Sequence, residues 1–421
     1  MTTDTTTAAA RPAAGLLVVT VDGLPAWMLP AYGATWVAMP AVDSLAARGV
    51  VFDRVITPST DPRQTLRDLA GAATGDGPSL VRAAAARGWK PALVTDDPET
   101  AAWFAAAIDA EVTLVAAAAR RDEAADDGET ALARLVEAAI DVIRAGRHRL
   151  VWCHVASLGV VWDAPRRYRD RYVDPEDPPP PAGAGVPAVA VDADTDPDAL
   201  VGVRQVFAGQ LSLFDAQMGR LFAAVTADAD ASDVPCWTVL LAGVRGLPLG
   251  LHGWVGVGGP DTPFGDLIHV PAVLVDAVGR MAAQRYGGLV VPADLGGTLA
   301  DLVVGVTSDR AGHDPASPWR GDSLAGLFTD WSATARDRVV AVGGESVAIV
   351  TPSWHCLWRS RPAAGGHRLQ LFAKPDDFFE LSDVADRCSA MAEPLAEAFA
   401  RAESGGWQEL WRARLPEAEP A

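Results

Sequence analysis

The stretch that most constrains this chain is residues 16–24, LLVVTVDGL. An almost unbroken apolar run ends in Asp22-Gly23. A strand with apolar side chains on both faces needs cover on both, as a central parallel strand of an α/β sheet has. Ligands of open α/β sheets sit beyond the carboxyl ends of the strands, and that is where Asp22 falls. Gly23 lets the backbone turn sharply. A carboxylate at that place either serves a ligand or caps the next turn.

The following stretch, residues 30–60, has a definite order. A turn with Tyr32-Gly33 precedes Met39-Pro40, then a short helix AVDSLAARG and a strand VVFDRVITPS. This order resembles the opening of the sulfatases, members of the alkaline phosphatase superfamily. There the first strand ends in a metal-binding aspartate, and a helix and strand lead to the nucleophile. The resemblance continues at the strand LVWCHVAS with His154, then at Trp162-Asp163, Pro165 and the run from Tyr168 to Tyr172. It returns in a long helix over 201–227 that keeps Asp215 and Gly219, and in LQLFAKPDDFFELSDVAD near the end. It covers nearly the whole chain.

Periodicity adds the rest. Residues 80–99 read as a helix, a glycine turn and a strand, and 101–118 as another helix and strand. Over 129–146, Leu135, Val136, Ile140 and Ile143 share one helical face, with Glu137 and Asp141 opposite. The Pro-, Ala- and Gly-rich tract 177–193 predicts an extended surface excursion without regular structure. From 335 onward short strands and turns precede a helix over about 391–402. The expected fold is α/β: a mostly parallel central sheet flanked by helices, with a small C-terminal antiparallel subdomain. The expected division is a disordered tail over 1–14, the α/β domain over 15–334 and the subdomain over 335–421.

Composition narrows the function. Lys+Arg 35 against Asp+Glu 54 gives a formal net charge of -19. That charge repels nucleic acid and anionic membrane surfaces, so neither is an expected partner. It also opposes long-range capture of sulfate and phosphate esters. Cys153, Cys236, Cys356 and Cys388 show no metal-ligand spacing, and the first and second read as buried thiols. With no apolar leader at the start, the expected location is the cytoplasm.

The chemistry that the resemblance implies does not transfer. Sulfatases use a formylglycine made from the first residue of Cys/Ser-x-Pro-x-Arg. Here the stretch is Pro58-Ser59-Thr60-Asp61-Pro62-Arg63-Gln64. Anchoring on Pro62 puts Thr60 at the nucleophile position; anchoring on Leu69-Ala70-Gly71 puts Asp61 there. Neither residue can become formylglycine. The family's second metal-binding segment, with an Asp-His pair, falls without gaps on residues 242–253. The pair becomes Val244-Arg245, while His252 is kept. The family's basic residues fall on Asp96, Pro98, Gly159 and Val257.

Asp22, Gly23 and Arg245 are therefore the expected relict pocket, and Thr60, Asp61, Arg63 and His252 the candidates for any catalysis. No metal or other cofactor is expected. The expected function is a sulfatase-like pseudoenzyme that binds a small ligand or a protein partner. The alternative is a divergent sulfuric or phosphoric ester hydrolase with Thr60 as direct nucleophile and Ca or Mg at Asp22. A purely structural subunit of a larger assembly is a third class. His154 reads as a core histidine, and Arg63 as the partner of Asp61. Arg245 is expected to stand in for the lost cation, pairing with Asp22, Asp61 or both.

Overall fold

The computed structural model describes residues 15–71, 79–116, 121–226, 237–277, 279–305, 321–328, 336–360 and 368–413. The strands in chain order are β1 (Gly15–Asp22), β2 (Val50–Ile56), β3 (Pro91–Thr95), β4 (Glu111–Leu114) and β5 (Leu150–Val155). Then come β6 (Ala188–Ala190), β7 (Trp237–Arg245), β8 (Trp254–Gly256), β9 (His269–Val275) and β10 (Gln284–Val290). Eight of them form the main sheet, in the order β10-β2-β9-β7-β1-β5-β3-β4. Only β9 runs against the others. β1 lies between β7 and β5, so the strand with the most apolar sequence has the most cover.

The helices are α1 (Pro40–Arg48), α2 (Pro62–Ala70), α3 (Leu80–Ala86), α4 (Pro98–Ile108) and α5 (Ala131–Arg144). They continue as α6 (Arg166–Arg169), α7 (Pro197–Thr226), α8 (Gly265–Ile268), α9 (Pro292–Val304) and α10 (Ser389–Gly405). Alternate residues of β1 serve opposite faces. Leu17, Val19 and Val21 pack with Leu135, Val136, Leu211 and Phe214 of α5 and α7. Leu16 and Val18 pack with Leu66, Leu69, Leu295 and Leu299 of α2 and α9.

Asp215 and Gly219 of α7 have a structural use. The buried Asp215 carboxylate accepts from Val42 N at 2.8 Å and Ala41 N at 3.1 Å, so it caps the start of α1 from another helix. A Cβ at Gly219 would stand 3.3 Å from that of Ala41, so the glycine keeps the two helices close. α7 starts at Pro197, ahead of the expected 201, because proline suits the first helical turn.

Four antiparallel strands follow: β11 (Val339–Gly343), β12 (Ser346–Val350), β13 (Trp354–Arg359) and β14 (Leu369–Ala373). α10 covers them, with Phe399 stacked on Trp358 at 5.5 Å between ring centroids. The tract 177–193 departs from expectation. Ala188–Ala190 pairs antiparallel with Trp254–Gly256. All three β6 side chains are exposed, so no apolar alternation marks it; main-chain bonds to a distant loop create it. The tail 1–14 and Cys236 lie outside the described residues. Among the described residues no helix is long and apolar enough to cross a membrane.

Candidate functional site

The site is built at the carboxyl edge of β1. Along β1 and β7 the register advances from Val21 opposite Gly243 to Asp22 opposite Arg245, two residues on β7 for one on β1. Such a bulge re-aims the side chains that follow it. It leaves Val244 fully buried in the core and puts Arg245 beside Asp22. Arg245 Nε donates to Asp22 Oδ1 at 3.0 Å, and Nη2 to Oδ2 at 3.1 Å. This is a planar fork on a planar carboxylate, the strong form of a charged pair. The main chain holds the same geometry: Gly23 N and Leu24 N both donate to Arg245 O at 3.0 Å. Gly23 has φ +79°, and a Cβ there would lie 3.3 Å from Gly159 N.

The segment before α2 is clamped from the C-terminal sheet. Thr60 N donates to Val342 O at 3.2 Å, and Val342 N to Pro58 O at 2.9 Å. Asp61 caps α2, accepting from Arg63 N at 3.0 Å. Arg63 Nε also reaches Asp61 Oδ1 at 3.4 Å, and the guanidinium pairs with Glu99 as well. Arg245 thus takes Asp22, while Asp61 is left to Arg63.

His154 sits on β5, beside Thr20 of β1. Its Nδ1 is 3.0 Å from Thr20 Oγ1, which also accepts from Trp152 Nε1 at 2.8 Å. Burial pushes the His154 pKa down, against the fields of Asp96 and Asp22. Asp96, at the position of a family basic residue, accepts from Ala156 N at 2.7 Å and Ser157 N at 3.1 Å. Burial raises its pKa, with those bonds opposing. It therefore ties the ends of β3 and β5 together.

Asp22, Thr60, Asp61, Arg63, His154 and Arg245 line one cavity of about 720 Å³. His252 does not join them. It stacks flat on Phe264, 3.8 Å between centroids, with Nε2 3.9 Å from Glu380 Oε2. Gly250 and Gly253, at φ +94° and +79°, shape the loop that carries it. His252, a candidate for catalysis by sequence, thus stands apart from Asp22 and Thr60: tertiary packing draws it towards the C-terminal sheet.

Sequence reading missed Asp97, Glu99 and Asp261 on the cavity wall. The first two had a signal. Asp97 ends the β3 unit and caps α4, accepting from Glu99 N at 3.2 Å and Thr100 N at 3.0 Å. Asp261 had none, since it comes from an exposed loop.

The family's divalent cation does not fit the residues present. Both Asp22 oxygens already face a permanent cation, and guanidinium cannot ligate metal. Among the described residues no three His, Cys, Asp or Glu side chains form a group that could hold a metal ion.

A scan against protein-family models gives no match, and neither does a search of curated proteins. Solved structures do match. The phosphonate monoester hydrolase of Agrobacterium radiobacter is 18% identical, with TM-score 0.66 over 94% of this chain and 96% of that one. The phosphonate monoester hydrolase from Silicibacter pomeroyi is 15% identical, with the same TM-score of 0.66 over 94% and 96%. A 2-O GAG sulfatase is 12% identical, with TM-score 0.65 over 97% and 95%. The matches cover nearly the whole length of each chain, and this chain has the fold of sulfatases and phosphonate monoester hydrolases.

Proposed function

We propose that this protein is a pseudoenzyme of that fold, which binds a small polar ligand at the carboxyl edge of β1 without hydrolysing an ester. The observation that carries the reading is the two-point Arg245–Asp22 pair, which puts a fixed cation where the family's metal chemistry begins. Formylglycine has no precursor, because Thr60 and Asp61 occupy its place. The cavity wall holds five carboxylates, Asp22, Asp61, Asp97, Glu99 and Asp261, against the two guanidiniums of Arg63 and Arg245. Such a wall disfavours sulfate and phosphate esters and suits a neutral polyhydroxyl or amine-bearing molecule. In this reading the protein uses no metal and works in the cytoplasm, where free thiols such as Cys153, Cys356 and Cys388 stay reduced.

One observation favours a second reading, ester hydrolysis by Thr60. Thr60 and Arg63 share the cavity with Asp22, as a direct nucleophile and an anion-binding side chain require. A single screen separates the two. Purified protein is assayed for metal content and for turnover of aryl sulfates, aryl phosphates and aryl phosphonate monoesters with added Ca or Mg. No turnover, together with saturable binding of a polyol or amine that Val160→Trp at the cavity wall abolishes, is the expected result. Turnover that disappears in Thr60→Val overturns the pseudoenzyme reading in favour of the hydrolase.

A further inference from the structure

A second cavity, of about 630 Å³, lies between the main sheet and the C-terminal sheet. It shares no lining residue with the first. Three of its properties point to a ligand. Its walls are apolar where Ile56, Ile268, Val350 and Phe378 meet. Next in sequence to its lining residues Phe378 and Glu380, Phe379 and Leu381 stand 40% and 66% exposed. Its charge is opposite in sign to that of the molecule: Arg54, Arg285 and Lys374 against Asp53 and Glu380.

The two carboxylates are already answered. Asp53 pairs with Arg285. Glu380, 4% exposed, accepts from Gly265 N at 2.7 Å and faces Lys374 Nζ at 2.9 Å and His355 Nδ1 at 2.6 Å. Arg54, by contrast, donates to main-chain oxygens, Gly287 O at 2.7 Å and Pro352 O at 3.0 Å, and among the described residues no carboxylate is bonded to it. His355, 1% exposed, is also on the wall, and its Nε2 is buried without a hydrogen-bond partner.

We propose that this cleft binds an amphipathic organic anion, an aromatic or branched aliphatic carboxylate. The head group lies by Arg54 and Arg285, and the apolar body lies on Ile56, Ile268, Val350 and Phe378. Net charge makes the choice of cleft: the same anion is repelled by the five carboxylates of the first cavity.

The test is calorimetric titration of the full chain with naphthoate, and with naphthylmethylamine as a cation of similar body. Gly287 lines the cleft, and a Cβ there meets no atom within 4 Å, so Gly287→Phe starts a bulky side chain from open space. Arg285→Gln removes a cation whose side chain is 50% exposed, which leaves the core untouched. Val160→Trp, at the first cavity, is the control, and near-UV circular dichroism checks that each variant is folded. The expected result is one-to-one binding of naphthoate, weakened about tenfold by Gly287→Phe and by Arg285→Gln and unchanged by Val160→Trp, with the amine binding more weakly. Three results overturn the proposal: no naphthoate binding at about 1 mM, equal binding of the amine, or loss of binding in Val160→Trp while folded Gly287→Phe and Arg285→Gln retain it.

Discussion

At the scale of the residue, Asp22 and Arg245 decide what the site can be. Their side chains are 13% and 27% exposed, so neither charge is well hydrated and each depends on the other. Removing one partner leaves a charge in poor solvent; removing both leaves little cost. Arg245→Met should therefore destabilise the fold by about 1–3 kcal/mol, and adding Asp22→Leu should recover most of it. Urea unfolding of the two variants and the parent measures this. Equal midpoints for Arg245→Met and the parent would show that the pair contributes nothing. The expected ion pair was legible because a gap-free alignment put an arginine at a ligand position. The displacement of His252 was not, because it depends on Glu380, a residue remote from it in the chain.

At the scale of the element, the loop into α2 is held by a strand from the other end of the chain. The bridge of Ser59 to Val342 sets Thr60 against Gly343. A Cβ on Gly343 would lie 2.1 Å from Asp261 O, 2.6 Å from Thr60 Cγ2 and 2.7 Å from Thr60 Oγ1. Gly343→Ala must displace the Asp261 loop, the Thr60 loop or both. The expected cost is roughly 1–3 kcal/mol of unfolding free energy, read from denaturant midpoints, with reduced ligand binding in the first cavity. An unchanged midpoint would mean that β11 does not hold the site. Asp61 as the cap of α2 could be read from sequence, since Asp-Pro opens helices. The dependence on Gly343 could not, since nothing local to residue 343 refers to residue 60.

At the scale of the whole molecule, the C-terminal sheet is part of one core. Ile56, Phe264, Ile268 and Leu289 of the α/β portion pack in one cluster with Val339, Ile349, Leu357 and Phe372. His252 and His269 stand at this junction, and burial pushes both down to about 4 from an ordinary value of 6.5. A histidine lowered on folding takes its proton first in the unfolded chain. Its contribution to stability is full above pH 6.5, lost as pH falls from 6.5 towards 4, and constant below that. Asp266, raised to about 8 by burial beside Glu380, works in the opposite direction. A comparison of two chains cancels its effect. His252→Gln should gain about 1–2 kcal/mol on the parent between about pH 7 and pH 5. Urea unfolding of both at the two pH values decides it; parallel losses would mean that His252 is not held neutral.

The sequence by itself determined the α/β fold, the centrality of β1 and the pairing of Arg245 with Asp22. Those follow from local information: apolar runs, capping residues and side-chain chemistry at positions fixed by alignment. It could not bring β6 to β8, seat Thr60 against Gly343, or separate His252 from Asp22, because each needs partners far apart in the chain. The second cavity belongs to the same class. Its wall is assembled from β2, β9, β10, β12 and β13, and only closure of the C-terminal sheet on the main sheet places Arg54, Lys374 and His355 around one space.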